Sequence, residues 1–176
     1  MIFTPKGNQF LWYSMRDGYK HLYLYNLDGT LVKQVTQGEY EVEGFIQFDR
    51  KGENIFIYAN KGNLAGRDAY RVNLKNGEMT RLTDGKGTHS VVLNESGDCY
   101  VDVFSSLDVP AAAYWNKVKY GKKNLQQVSH RLYAAENPLK DYAMPKVTLG
   151  TLKAANGTND LYYRLITPPH MEQGKT

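Results

Sequence analysis

A repeat of 45 residues constrains this sequence more than any other feature. The segment Phe3–Asn8 recurs as Phe48–Glu53 and as Leu93–Asp98, so the copies start 45 residues apart. Each copy is a large apolar residue, a polar turn and a glycine, and an alternating apolar–polar strand follows it. Glycine supplies the positive φ that such a turn needs, and its neighbours are common turn formers. The sequence therefore predicts three equivalent β-rich units in series.

Each copy of the repeat also contains a hairpin signal at the equivalent position. In the first copy, strand His21–Asn26 leads through Asp28-Gly29 into Thr30–Thr36. The second copy has Asp68–Leu74, Asn76-Gly77 and Glu78–Thr83, and the third has Ala112–Val118, Gly121-Lys122 and Asn124–Ser129. Asp-Gly and Asn-Gly between alternating strands are strong hairpin signals.

Four short strands in each period are typical of a β-propeller blade. The strands that follow the repeated turn are predicted at Gln9–Met15, Asn54–Ala59 and Cys99–Phe104. The middle one is apolar on both faces, which suits a sheet packed between two other sheets. A β-sandwich is the alternative, but a sandwich does not require a constant period. We therefore predict an all-β chain with about three four-stranded antiparallel blades over residues 1–135.

Three blades make an incomplete propeller, because a closed one usually has about four to eight. An open arc leaves an apolar sheet face at each end, and such faces favour association. We expect the chain to be a fragment of a longer protein. Self-association or an unusual closure by the terminal strands would cover the open faces.

The pattern changes after the repeats. The repeat pattern breaks from Arg131, and Glu136–Asp141 shows no strand or helix period. Pro138 and Pro145 interrupt this stretch, which we interpret as a linker over 136–146. Lys146–Ala154 and Asp160–Thr167 then alternate around an Asn-Gly turn, which predicts a C-terminal hairpin. We expect residues 147–176 to be the first strands of a truncated second domain.

Composition and charge exclude several classes of protein. The chain is 41% hydrophobic and 23% charged with a net charge of +4, which indicates a globular protein rather than a disordered one. It has neither an apolar run long enough to span a membrane nor an N-terminal signal-peptide pattern. Charges of both signs are spread along the chain, so we predict no basic face and no nucleic-acid partner. The lone Cys99 lies in an alternating apolar segment, which predicts a buried structural thiol.

Several stretches resemble the propeller of the dipeptidyl peptidase IV family. Phe3–Leu11 and His21–Gly29 resemble a blade consensus that this family shares with TolB-like propellers. Four further stretches resemble family segments in the same order, namely Arg16–Tyr23, Gln37–Val42 (with Tyr40 where tryptophan is usual), Gly62–Tyr70 and Leu161–Pro169. The last of these is similar to the strand that enters the α/β-hydrolase domain.

The resemblance implies a parent that is a serine exopeptidase of the prolyl oligopeptidase clan. Such a parent releases dipeptides after a penultimate proline or alanine, and its propeller gates the access of the peptide substrate. It would be periplasmic or secreted, and the remaining blades and the hydrolase domain would be partners of this segment. The family's catalytic triad and its substrate-binding glutamate pair lie outside the matched part, so no catalytic residue is assigned here. A TolB-like interaction module and another clan member, such as an acylaminoacyl peptidase, are the alternatives.

Residue types that carry chemistry are few and scattered. None of the six serines lies in a Gly-x-Ser-x-Gly frame, and the four histidines show no metal-ligand spacing. We therefore predict no catalytic residue, no metal and no cofactor, and an isolated chain that is inactive. His21 and His89 are expected on strands as surface or hydrogen-bonded histidines.

Two charged groups are candidates for ligand binding. Arg67 and Asp68 lie in a glycine-rich loop, where arginine could hold a carboxylate, and we take them as candidate substrate-binding residues. The alternative is an ion pair that orders the loop. Glu39, Glu41 and Glu43 alternate, so they are expected on one face of a strand, either as an ammonium site or as a solvated edge.

Overall fold

The computed structural model describes residues 1–63, 65–121 and 125–170, and it contains two compact units, Met1–Ala135 and Glu136–Thr176. The strands of the first unit are β1 (Ile2–Phe3), β2 (Gln9–Ser14), β3 (His21–Asn26), β4 (Leu31–Gln34), β5 (Val42–Phe48), β6 (Asn54–Ala59), β7 (Asp68–Asn73), β8 (Met79–Arg81), β9 (Thr88–Leu93), β10 (Cys99–Ser105), β11 (Ala112–Tyr120) and β12 (Leu125–Ala134). The second unit contains β13 (Lys146–Lys153) and β14 (Asp160–Thr167).

The first unit consists of three antiparallel sheets of four strands each, which we call blades 1, 2 and 3. Blade 1 is β1-β2-β3-β4, blade 2 is β5-β6-β7-β8 and blade 3 is β9-β10-β11-β12, each in sequence order across the sheet. The second strands of the blades begin at Gln9, Asn54 and Cys99, so the structure repeats with the period of the sequence. The predicted all-β fold of three blades and a hairpin is confirmed.

The repeated turn has one geometry in all three blades. Its first residue donates its amide to the carbonyl of the residue that begins the next strand, Thr4 to Gln9, Asp49 to Asn54 and Asn94 to Cys99, at 2.9 Å in each blade. The turn glycines Gly7, Gly52 and Gly97 have φ angles of 67°, 66° and 73°. A side chain disfavours this left-handed region, which is why glycine recurs there.

Strand β6 is apolar on both faces because it lies between two cores. Ile55, Ile57 and Ala59 are fully buried in the core that joins blades 1 and 2. Phe56 and Tyr58 point the other way, into the core that joins blades 2 and 3. Full burial of a large apolar side chain stabilises a protein by about 1.5–3 kcal/mol, so this strand is a main source of blade packing.

In the described part of this unit, no sheet packs on the outer faces of blades 1 and 3. Trp12 lies on the face of β2 opposite the core and is 46% exposed. Val103 of β10 is exposed on the outer face of blade 3. Cys99 shares that face and is half-buried, so the predicted buried thiol is wrong. The residue equivalent to Val103 in blade 2 is Tyr58, 45 positions earlier, and blade 3 covers Tyr58.

Strand β12 continues past the predicted end of the repeat pattern. Arg131 pairs with Tyr114 and Ala134 pairs with Ala112, so the break predicted at Arg131 is wrong. The side chains of β12 beyond Leu125 are exposed on both faces, and a strand of that kind has no apolar alternation to detect. Lys122–Asn124, including part of the predicted third turn, lie outside the described residues.

The second unit contains an antiparallel hairpin. Strand β13 pairs with β14 from Lys146 with Thr167 to Lys153 with Asp160. The last pair also forms an ion pair at 2.7 Å. Glu136–Pro145 contains no strand, and 171–176 of the predicted second domain lie outside the described residues. No helix in the described part of the chain is long and apolar enough to cross a membrane.

Candidate functional site

The predicted residues Arg67 and Asp68 lie where blade 2 meets blade 3. Asp68 is the first residue of β7, and Arg67 ends the loop that precedes this strand. Arg67 forms a parallel β-bridge with Thr88, the first residue of blade 3. Because successive side chains of an extended segment point to opposite sides, the Arg67 and Asp68 side chains have different surroundings.

The Arg67 side chain contacts both blades. Its guanidinium carbon lies 4.4 Å from the centre of the Tyr58 ring, and its Nε donates to the carbonyl oxygen of His89 at 3.1 Å. Blade 1 contains a similar contact, where the Lys20 ammonium lies 5.3 Å from the ring centre of Tyr13, one repeat before Tyr58. A cation over an aromatic ring contributes about 0.5–2 kcal/mol, depending on desolvation. Arg67 therefore helps to fix blade 2 on blade 3.

Asp68 is fully buried, and one of its carboxylate oxygens is strongly bonded. Its Oδ1 accepts from Nη2 of Arg81 and from the hydroxyl of Thr83, both at 2.8 Å. Nε2 of His89 is 3.6 Å from the same oxygen, too far for a hydrogen bond. The Arg81 side chain is 40% exposed, so solvent screens its attraction for the buried carboxylate. The ion pair at this loop is therefore Asp68–Arg81 and not Asp68–Arg67.

A second buried acid extends this cluster into blade 3. Oδ2 of Asp102 is 2.8 Å from Nδ1 of His89, and the carboxylate assigns the donating proton to Nδ1. Phe104 stacks on the imidazole with ring centres 4.7 Å apart. Among the described residues, Oδ2 of Asp68, Nε2 of His89 and Oδ1 of Asp102 are buried without a hydrogen-bond partner. Each buried polar group without a partner lowers the free energy of unfolding by about 1–3 kcal/mol, so these atoms destabilise the fold considerably.

The sequence does not predict the His89–Asp102 pair. The two residues are brought together by the antiparallel pairing of β9 with β10, in which Val91 is opposite Asp102. One sequence signal for the pair exists. Asp102 shares a face of β10 with the buried Tyr100, so a charged residue occupies a position whose neighbours predict a core side chain.

The loop before Arg67 packs so closely on the loop before β9 that only glycine fits. A Cβ on Gly66 would lie 2.1 Å from the carbonyl oxygen of Gly87, and a Cβ on Gly87 would lie 2.3 Å from that of Ser105. Asn63 also donates from Nδ2 to the Gly87 carbonyl at 3.0 Å. The glycine-rich composition therefore reflects contact between blades. Leu64 of the same loop lies outside the described residues.

A cavity of about 340 Å³ opens beside the cluster, between blades 2 and 3. It exists because β8 has 3 residues whereas β11 and β12 have 9 and 10, so part of blade 3 faces no strand. Asp84 and Asp102 contribute carboxylates, Asn116 and Gln127 contribute amides, and Phe104 contributes an aromatic wall. This lining suits a small polar group and contains no nucleophile bonded to a base.

The described part of the chain contains no activated nucleophile. No serine or cysteine there hydrogen-bonds to a histidine, and Ser96 instead donates to Asp98 in the repeated turn. His21 is 3.1 Å from the hydroxyl of Thr36, but that buried oxygen also accepts the amide of Leu22. Within the same residues, no group of three or more histidine, cysteine, aspartate or glutamate side chains is arranged so that it could hold a metal ion.

The three alternating glutamates do not form one row of carboxylates. Only Glu43 belongs to strand β5, whereas Glu39 and Glu41 precede it. Oε2 of Glu41 accepts the amide of Lys20 at 2.6 Å, so this side chain ties the end of one blade 1 loop to the start of blade 2. The expectation that all three share a strand face is wrong, because the strand begins at Val42.

Proteins similar to this chain in sequence and in structure are dipeptidyl peptidases. The family model of the dipeptidyl peptidase IV (DPP IV) N-terminal region matches residues 1–111. The chain is 30% identical over 142 residues to dipeptidyl peptidase 4 of Arthroderma otae, which covers 80% of this chain and 18% of that protein. It is 29% identical over 161 residues to dipeptidyl peptidase 4 of Trichophyton equinum, which covers 90% of this chain and 20% of that protein.

Two solved structures extend the likeness to nearly the whole chain. Dipeptidyl peptidase 4 of Porphyromonas gingivalis matches with a TM-score of 0.77 at 20% identity, covering 97% of this chain and 24% of that one. A candidate dipeptidyl aminopeptidase IV of Bacteroides ovatus matches with a TM-score of 0.76 at 29% identity, covering 97% and 26%. This chain spans about a fifth of the length of the curated relatives it matches. The family match over the repeated blades shows that the chain belongs to the dipeptidyl peptidase IV N-terminal region family.

Proposed function

We propose that this chain is the last part of the propeller of a dipeptidyl-peptidase-IV-like serine exopeptidase, joined to the start of its hydrolase domain. In this proposal residues 1–135 are propeller blades, 136–146 are a linker and 147–176 begin the hydrolase domain. The observation that carries it is the open face at each end of the three blades. Trp12 on blade 1 and Val103 on blade 3 occupy positions that blade 2 buries against its neighbours. Flanking blades in a longer chain would cover both.

In the parent, the segment would form part of the wall of the substrate cavity and would supply no catalytic group. The parent would release N-terminal dipeptides after proline or alanine, and the blades would wall the cavity so that only short or unstructured peptides enter. The absence of a serine–histidine pair among the described residues is consistent with this role. The hydrogen bond from Arg67 to the His89 carbonyl crosses the interface of blades 2 and 3, and the pairs Asp68–Arg81 and His89–Asp102 lie on either side of it. Together they would keep the wall rigid.

The two predicted substrate-binding residues differ in how accessible their side chains are to a substrate. Arg67 is half-buried, so a peptide carboxylate could reach its exposed part. Asp68 is fully buried and could contact a substrate only after blades 2 and 3 separate. We further propose a periplasmic or secreted parent, and a cleavable signal peptide at the start of the parent gene would support that compartment.

The test compares this chain with its longer parent on Gly-Pro and Ala-Pro chromogenic substrates. We expect the parent to release the dipeptide, the chain alone to release none, and replacement of the parent's elbow serine by alanine to abolish release. Dipeptide release by the pure chain would overturn the non-catalytic role. A parent without a Gly-x-Ser-x-Gly elbow and without activity would favour a TolB-like interaction module instead.

A further inference from the structure

Four lysines that are far apart in the sequence surround one cleft between blades 1 and 2. The cleft has a volume of about 570 Å³. Lys6 and Lys51 come from equivalent repeated turns, Lys33 comes from β4, and Lys75 comes from the turn after β7. Glu53 is the one acidic residue among those that line it. The fold therefore concentrates positive charge that is spread along the chain.

Three of these ammonium groups are free to bind a ligand. Lys6, Lys51 and Lys75 are exposed, and none forms a salt bridge with another described residue. Lys33 is half-buried and donates to the carbonyl oxygens of Leu74 and of Lys75, the latter at 3.0 Å, so it is fixed across the two blades. A concave surface lined by charge of one sign raises the local potential and concentrates counter-ions.

A second cleft in the same molecule provides an internal comparison. One repeat along, between blades 2 and 3, a cleft of about 310 Å³ is lined by three cationic and two acidic residues. The two acids are Asp49 and Glu53, whose equivalents in the first cleft are the uncharged Thr4 and Asn8. The repeat therefore places a cleft at the equivalent position of each interface, and substitutions at equivalent turn positions make the first more basic than the second.

We propose that the cleft between blades 1 and 2 binds a multiply charged anion of the phosphate-ester or sulfate-ester class. Its volume lies within the range of about 300–1,000 Å³ that is usual for small-molecule sites. Asn8 supplies a neutral donor, because its Oδ1 accepts the Thr4 hydroxyl at 3.3 Å and its amide nitrogen stays available.

The test is calorimetric titration of the full chain with inorganic pyrophosphate at low ionic strength, with sodium chloride as the reference salt. We expect saturable binding of one pyrophosphate per chain. The double variant Lys6→Gln/Lys51→Gln should weaken binding by about tenfold or more, because two charged hydrogen bonds are lost. The matched control Lys117→Gln/Lys119→Gln removes the same charge from exposed positions of β11 and should change the affinity by about twofold or less, as screened distant charges do.

A parallel titration with a sulfated disaccharide distinguishes the two ester classes. Tighter binding of the disaccharide would indicate a sulfated glycan, and tighter binding of pyrophosphate would indicate a phosphate ester. Circular dichroism of both double variants checks that the blades remain folded. The proposal is overturned if neither anion binds more tightly than chloride, or if the two double variants weaken binding equally, because a general charge effect would then account for the result.

Discussion

The repeated turn allows a mutation series in which the backbone stays constant while the surroundings change. Gly7, Gly52 and Gly97 occupy the same turn position with φ angles of 67°, 66° and 73°. Alanine at any of them places a Cβ in the left-handed region, which costs about 1–2 kcal/mol of folding free energy. Any further loss of stability must come from close contacts between the new methyl group and neighbouring atoms.

The atoms near the new methyl group differ among the three turns. A Cβ at Gly97 would lie 2.1 Å from Cζ of Phe56, whereas a Cβ at Gly7 would have no heavy atom within 4 Å, and one at Gly52 would lie 3.3 Å from the Pro5 ring. The Phe56 ring is fully buried in the core between blades 2 and 3, so it must move within a packed interior. Overpacking of this kind costs about 1–3 kcal/mol. We therefore expect losses of about 1–2 kcal/mol for Gly7→Ala and about 2–5 kcal/mol for Gly97→Ala.

Urea unfolding followed by tryptophan fluorescence measures these losses. Both tryptophans, Trp12 and Trp115, belong to the three blades, so the signal reports their unfolding and not that of the C-terminal hairpin. Gly52→Ala should fall close to Gly7→Ala, because the proline ring needs to shift only slightly. If Gly7→Ala and Gly97→Ala agree within about 0.5 kcal/mol, which is the usual scatter of such comparisons, the close packing of the third turn on Phe56 is refuted.

Three other changes test the interface, the buried tyrosines and the open faces. His89→Ala should destabilise the blades by about 3–5 kcal/mol in the same assay because it leaves the buried Asp102 carboxylate without its partner, and a loss below about 1 kcal/mol would contradict a buried His89–Asp102 pair. Burial raises the pKa of Tyr70 to about 12, so its stabilising contribution is complete below pH 10 and is lost as the pH rises from 10 to 12. Tyr70→Phe should reduce that alkaline loss by about 2–3 kcal/mol in unfolding experiments at stepped pH, whereas identical pH profiles would show that Tyr70 does not cause it. Light scattering should detect assemblies larger than the 20.0 kDa chain, and Trp12→Lys or Val103→Lys should restore the monomer; a monomeric wild type would argue against association through the open faces.

The fold could be predicted because its strands alternate and its turns repeat. The bounds predicted for β3 and β6 match the structure, since both strands combine apolar alternation with a glycine turn at a fixed distance. The end of β12 could not be predicted, because its side chains are exposed on both faces and carry no period. Glu39 and Glu41 show the opposite error, in which an alternation without burial suggested a strand that is absent.

The candidate site was harder to predict, because its contacts join residues on different strands or different blades. Composition drew attention to the loop at Arg67 and Asp68, but the partner of Asp68 is Arg81 across a strand pair. The basic cleft could not be predicted either, because its lysines come from separate parts of the sequence. Lys6 and Lys51 are 45 residues apart, and only the stacking of equivalent turns brings them to one surface. The sequence shows no cluster of basic residues, whereas the fold brings four lysines to one cleft.

The packing of β6 against two cores has a consequence for local unfolding. In stacked repeats, stability is approximately a sum over units and their interfaces. Opening blade 1 or blade 3 breaks one interface, whereas opening blade 2 breaks both. Amide hydrogens of β6 should therefore exchange with solvent only when the whole first unit unfolds, and those of β2 and β10 should exchange earlier by fraying from the ends. In a longer parent the protection of β2 should rise to that of β6, so the ratio of the two exchange rates would measure how far the ring around this segment is complete.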